Sequence, residues 1–220
     1  MTTAQTLRGD QSSMLERLPE RDRETAISAA ALLEQAAEPV PATRLPADPA
    51  VWGAVEQILD RFGRIAIPLG DPAQPQGWTT GYADDIAERL AAEGIGVLDL
   101  ADRAVLALVL LFCVAIPTTR GQRPEPWSAA APVARNQLLD CRGVPNTVIK
   151  SGIRRLHLLG VIRDQRGHGI TPGPALDRLT QAQRARLEED LLLVTAPDDP
   201  LILRIRQRRQ PSPTEAQPLP

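Results

Sequence analysis

Between Pro132 and Pro174 the chain reads PVARNQLLDCRGVPNTVIKSGIRRLHLLGVIRDQRGHGITPGP, and this stretch limits the fold more than any other. Val133, Leu138 and Leu139 give a first short helix an apolar face that ends near Cys141. Arg142-Gly143-Val144-Pro145 leaves room only for a tight connection, in which Gly143 can take the left-handed conformation that closes a helix. Asn146 or Thr147 can cap a second helix, which runs to about Leu159. Gly160 ends it. Val161-Ile162-Arg163 and Gly169-Ile170-Thr171 can then pair as a short hairpin, stopped by Pro172, Gly173 and Pro174. Two helices joined by a Gly-containing turn of three or four residues form a recurrent supersecondary unit.

At 100° per residue the second helix divides into two faces. Val148, Ile149, Gly152, Ile153, Leu156 and Leu159 form the expected core face. Thr147, Lys150, Ser151, Arg154 and His157 form the other, rich in hydrogen-bond donors and cations. Arg155 lies at the boundary, where pairing with an acid is the simpler reading. Leu158 falls on the polar face, which suits a protein interface better than a phosphate backbone. Across residues 146–169 stand Lys150, Arg154, Arg155, Arg163 and Arg166 against Asp164 alone. Such a cluster can replace counterions condensed on nucleic acid.

At these residues the chain resembles the winged helix-turn-helix superfamily, in the broad style of MarR-type bacterial regulators. The carrying residues are LL followed by GVP, then the I-x-x-x-I-x-x-L-x-x-LGVI run and a basic, Gly-containing hairpin. The resemblance implies that helix 146–159 is a recognition helix and 161–171 a wing. The DNA-contacting set is then Thr147, Lys150, Ser151, Arg154, Arg163, Arg166 and His168, with Leu158 as a protein contact.

The rest of the chain is read around that unit. The fold class is mainly α with a short β wing. A winged helix-turn-helix domain with C-terminal helices spans 102–209, preceded by a smaller helical, winged-helix-like unit at 48–101. Asp102 precedes a run apolar on nearly every side, expected to be the buried central helix of the larger domain. Its longest apolar stretch, Ala104–Pro117, falls short of the roughly 20 residues that span a bilayer, so no membrane partner is expected. Within 48–101, Asp48 caps a helix opened by Pro49, with Val51, Trp52, Val55, Ile58, Leu59 and Phe62 at helical spacing. Residues 68–77 read as a loop, Thr79 or Thr80 as the start of a helix, and 95–100 as a strand. Residues 19–47 read as a helix with a weak stripe of Ile27, Ala30, Ala31 and Leu33, then a Pro-rich linker. Trp127–Ala131 reads as a short strand, and Asp199-Pro200 can cap a last helix, LILRIRQRR. Residues 1–18 and 210–220 read as disordered tails.

Composition excludes several functions. The formal net charge of −2 divides into −7 over residues 1–120 and +5 over 121–220, so attraction to a polyanion is local to the C-terminal half. Aromatic residues are 3% of the chain, too few for base-stacking platforms. Cys113 and Cys141 form no framework, and the first residues lack an apolar signal region, so a reducing cytoplasm is expected. Lys150 is the only lysine, which with abundant Ala and Pro suits a GC-rich bacterial genome. His157 and His168, the only histidines, have no Cys or acid cluster to complete a metal site. Asp84, Asp85 and Glu88 read as the wet side of a helix, Gly94-Ile95-Gly96 is no dinucleotide fingerprint, and no cofactor is implied.

The sequence therefore points to a non-catalytic binder. One form is a DNA-binding transcriptional regulator, dimeric, reading double-stranded DNA with helix 146–159. The alternative is a winged-helix adaptor subunit of a multiprotein SMC–kleisin-like complex. Small accessory subunits of the MukE type, which carry two winged-helix units in tandem, are the resemblance on that side, and Leu158 and the acidic N-terminal half favour it. Arg204, Arg206, Arg208 and Arg209 fit either phosphate contact or plain solubilisation.

Overall fold

The computed structural model describes residues 12–165 and 167–195. Arg166, the arginines at 204–209 and the expected last helix lie outside these residues.

The first half is built as a complete winged module. Ser12–Arg17 (α1) leads into Glu20–Gln35 (α2), whose first turn carries Glu20 and Asp22, favourable beside the positive end of the helix dipole. Val40–Pro41 (β1) and a 3-10 turn, Ala42–Arg44, precede Pro49–Asp60 (α3). As the sequence implies, Asp48 caps α3, accepting from the backbone N–H of Ala50 at 2.7 Å and of Val51 at 3.4 Å. Two long strands follow, Arg64–Asp71 (β2) and Gln74–Tyr82 (β3), in an antiparallel sheet of order β1-β3-β2. The buried face of α2 is Ala26, Ala29, Ala30 and Leu33, small enough to let α3 approach with Val51, Ala54, Val55 and Leu59. Trp52 and Trp78 close one side, ring centroids 4.4 Å apart.

This corrects the expected organisation at several points. The smaller unit runs from α2 to β3 and not over 48–101; the helix expected in 19–47 is present as α2, and the Pro-rich stretch after it is not a linker but carries β1 and the 3-10 turn. Residues 12–17 are helical within the supposed tail, and Leu15 and Leu18 pack on the first core. The 68–77 segment is strand, a two-residue turn and strand, Thr79 and Thr80 lie in β3, and 95–100 is not a strand. Pro68 is tolerated because β2 is an edge strand, where a missing N–H breaks no ladder. Pro75 sits where the register shifts beyond Leu69, and Asp71 stabilises the turn by accepting from the Ala73 N–H at 2.9 Å. Ile27 and Phe62, expected to face the core, are exposed.

Asp84–Ala92 (α4) crosses to the second module. Its first helix, Leu100–Leu110 (α5), passes through a π-helical stretch, Leu111–Ala115, into Ile116–Thr119 (α6). By length and composition this 20-residue helix is apolar enough to cross a membrane, with a hydropathy of 2.2. Here it forms the spine of a core, burying Val105, Val109, Leu110, Cys113 and Val114. Trp127–Ala129 is a 3-10 turn and not a strand. Arg135–Leu139 (α7) and Asn146–Leu158 (α8) are the two helices read from sequence. Ile162–Gln165 (β4) and Gly169–Pro172 (β5) pair antiparallel as the wing, and Val133 bridges to Ile170 as a vestigial third strand. Gln181–Thr195 (α9) covers the π-helical stretch of the spine, with Leu191 buried.

The order helix, extended segment, short turn or helix, helix, hairpin thus occurs twice, with a 3-10 turn at Ala42–Arg44 where the second half has α7 and a single bridge at Val133 where the first has β1, and the fold is a tandem of winged-helix-like modules. They meet along a polar seam. The Arg178 guanidinium donates to the Ala36 carbonyl, and Arg163 pairs with Glu38. The Thr180 hydroxyl donates to Asp84 at 2.6 Å, and Arg186 meets Glu88 at 2.8 Å. Gly81 is required by packing: a Cβ there would stand 2.1 Å from the Arg178 carbonyl oxygen.

Candidate nucleic-acid interface

The exposed face of α8 is set by how α8 meets the spine. Gly152 faces Val105, where a Cβ would come within 2.7 Å of a methyl group, so the helices approach at that point. Ile149, Ile153 and Leu156 bury beside it. The opposite face must then be Thr147, Lys150, Ser151 and Arg154, and all four are exposed. Among the described residues, Lys150 and Arg154 have no ion-pair partner, and neither has Arg142 in the preceding turn. Two exposed cations on α8 and one in the turn before it are therefore free to meet phosphate.

Two expectations about the ends of α8 need correction. Neither Asn146 nor Thr147 caps it: Pro145 holds the N-cap position without a side-chain hydrogen bond, and the helix begins at Asn146. Gly143 keeps an ordinary backbone conformation, since α7 ends earlier, at Leu139. At the other end Gly160 does close the helix at φ +69°. Leu159 falls past the last helical residue and is 59% exposed, although its spacing assigned it to the core.

Arg155 is taken up by Asp102. Its Nε donates to both carboxylate oxygens, at 3.0 and 2.8 Å, and its Nη2 donates to Oδ1 at 2.6 Å. This fork holds the buried Asp102 carboxylate and ties α8 to α5. The same contact raises the Arg155 pKa, so its charge is fixed. The pairing expected for Arg155 is therefore present.

The wing is less cationic than its sequence. Arg163 points back to the seam and pairs with Glu38 of the first module, so it does not reach outward with Lys150 and Arg154. Asp164 is neutralised by Arg135 at the start of α7, and its N–H donates to His157 Nδ1 at 3.4 Å. His168 is exposed at the wing tip, lining with Arg135, Asn136 and Gln165 a cleft between α7 and the wing. The site the structure assembles is thus Thr147, Lys150, Ser151 and Arg154, with Arg142 added and Arg163 removed. Arg142 was missed because a turn residue has no helical phase to assign it to a face.

Leu158 is 76% exposed and, with Leu159, lines a second cleft at the seam, bounded by Glu38, Arg163 and Arg178. Among the described residues no group of three or more His, Cys, Asp or Glu could hold a metal ion. Asp84 and Glu88 are both engaged by the second module, through Thr180 and Arg186.

No family model and no curated protein matches this chain. Among solved structures it is similar to ScpB from Mycobacterium tuberculosis, at 20% identity over 77% of this chain and 98% of that one. The TM-score is 0.23, and at that value the likeness carries no argument. The class defined by the coordinates themselves is a tandem winged-helix protein.

Proposed function

We propose that this protein is a non-catalytic, cytoplasmic adaptor subunit of a multiprotein, DNA-associated assembly of the SMC–kleisin kind. The observation that carries the reading is the unequal chemistry of two modules of one fold. The third helix of the first module bears Glu56 and Asp60 and no basic residue, so it repels a phosphate backbone. Of the two third helices, α8 is the one with cations that have no ion-pair partner among the described residues, and its C-terminal end is apolar, with Leu158 and Leu159 open at the seam cleft. A subunit with one module suited to a protein and another with a small basic face fits docking beside DNA better than reading an operator.

The test is co-purification of a partner from cells of the source with tagged protein. Wild type should retain a stoichiometric partner, and Leu158→Asp should lose it. Retention by Leu158→Asp sinks the assignment of that cleft as the docking site.

A transcriptional regulator is the second reading, and free Lys150, Arg154 and Arg142 favour it. Salt-titrated binding to duplex DNA separates the two. A regulator binds tightly, and Lys150→Ala with Arg154→Ala flattens the salt slope by about one per lost phosphate contact. An adaptor shows weak affinity without sequence preference.

A further inference from the structure

The sheet of the first module has one long free edge. In an antiparallel pair, residues that exchange backbone hydrogen bonds alternate with residues that do not. The Ala83 N–H donates to the Gly63 carbonyl at 3.0 Å, which sets the phase of the ladder. Ile65, Ile67 and Leu69 then bond to Gly81, Thr79 and Gly77 of β3. Arg64, Ala66 and Pro68 turn their backbone groups the other way, and β2 has no strand on that side. Pro68 agrees with this phase, since it has no N–H to give. The N–H groups of Arg64 and Ala66, and the carbonyls of all three residues, have no backbone partner among the described residues.

Such an edge is usually covered or blunted. Here the cover stands off. Helix α9 runs beside the edge and presents Gln181, Arg184, Ala185 and Glu188, one face at helical spacing, across a cavity of about 510 Å³. A neighbouring cavity of about 490 Å³ shares Ile65, Thr180, Gln181 and Ala185 with it, so the two form one groove. Ile65 to Pro68 rises about 10 Å as strand and Gln181 to Glu188 about 10 Å as helix, so the walls match in length. The charges of the wall are paired within it, Arg184 with Glu125 and Arg123 with Glu188. Ile65, Ile67 and Leu179 line the same space. An occupant thus meets main-chain donors and acceptors at strand spacing on one side, and apolar or internally neutralised side chains on the other. A helix keeps its main-chain groups for itself and could not use that edge, whereas an extended chain can.

We propose that an extended, uncharged segment of a partner chain adds to β2 as a fourth strand, with apolar side chains at alternate positions against Ile65, Ile67 and Leu179. Main-chain bonds to Arg64, Ala66 and Pro68 supply the affinity, and the alternate apolar positions supply the selection. The register shift after Leu69 ends the pairing there. This groove is separate from the seam cleft at Leu158, and its use depends on neither reading of the function.

The test pans the full chain against a library of random dodecapeptides and measures the enriched peptides, fluorescein-labelled, by anisotropy. They should carry apolar residues at alternate positions. Ala185→Trp, which fills the groove from an exposed position on α9, should weaken them about tenfold or more. Ala66→Pro removes an outward N–H that the β3 ladder does not use and should weaken them about tenfold, while the melting temperature stays within a few degrees of wild type. No enrichment, apolar residues at helical spacing, or affinity unchanged in Ala185→Trp overturns the proposal. N-methylation of the bound peptide at every second residue tests the same bonds from the other side and needs no change in the protein. One phase of methylation should abolish binding and the other spare it; equal effects of the two phases also overturn the proposal.

Discussion

In the first module the third helix, Pro49–Asp60, carries two acids and no base; in the second, Asn146–Leu158 carries Lys150, Arg154 and Arg155 and no acid. The wings differ too. Strands β2 and β3 have eight and nine residues, whereas β4 and β5 have four each. Topology is common to both because each buries the same kind of apolar helix face against a hairpin. What each can bind is set by residues that no packing rule constrains, the outward positions of the third helix. A fold shared inside one chain is thus no guide to a shared ligand.

The cores should be the most sensitive test of this division. Leu156→Ala, at a fully buried position on the core side of α8, should cost about 2–5 kcal/mol by loss of transfer energy and cavity formation. Urea unfolding measures it, and a cost below that range would mean that the second core is loosely packed. Gly81→Val places a side chain where the Arg178 carbonyl sits and should cost about 1–3 kcal/mol, the usual range for overpacking. Calorimetry should then resolve two transitions, because the seam is strained while both cores remain. A single transition shifted as a whole would show that the modules unfold as one unit regardless of the seam.

Asp177 tests how the seam segment is balanced. Its side chain is fully buried in the 3-10 turn Pro174–Arg178, and both oxygens lack a well-formed hydrogen bond. Burial pushes its carboxyl above the usual range, opposed in part by Ser128, Arg184 and Arg163. With the folded pKa raised, the folded state binds the proton more tightly than the unfolded chain. The favourable contribution is therefore present at pH below the unfolded value and is lost as pH rises through the folded one. Asp177→Asn should stabilise the protein at neutral pH and remove that part of the pH dependence. Denaturation midpoints across the acid range check both outcomes, and a midpoint unchanged at neutral pH would refute the sign.

A charge exchange sharpens the comparison at smaller energy. Lys150→Glu with Arg154→Glu makes α8 resemble α3 and should abolish low-salt affinity for duplex DNA without lowering the melting temperature. Glu56→Lys with Asp60→Lys should add weak, salt-sensitive affinity to the first module. The smallest effect concerns the thiols. Burial pushes the Cys113 thiol up to about 11, and it donates to the Ile170 carbonyl at 3.5 Å, so only the partly exposed Cys141 should react with maleimide until the protein unfolds.

The second module was legible because its signals are local. The stripe Ile149, Ile153, Leu156, the tight turn before it and Gly160 after it act within a few residues of each other. The first hairpin was hidden because Pro68, Pro72 and Pro75 read as a loop. A signal was present in the alternation of Ile65, Ile67 and Leu69, two of which are buried. That prolines can stand there depends on β2 lying at an edge, which is a property of the sheet and not of the segment.

By itself the sequence determined the helix and hairpin of 132–174, the cap at Asp48, and the outward face of Lys150, Ser151 and Arg154. Each follows from spacing and backbone chemistry within one element. Only the tertiary structure decided that Arg163 is held by Glu38, that Arg155 is locked to Asp102, and that the Pro-rich N-terminal region completes a second winged module. Those outcomes join residues 125 and 53 positions apart, and a charge can be assigned to a ligand only after its partners within the fold are known.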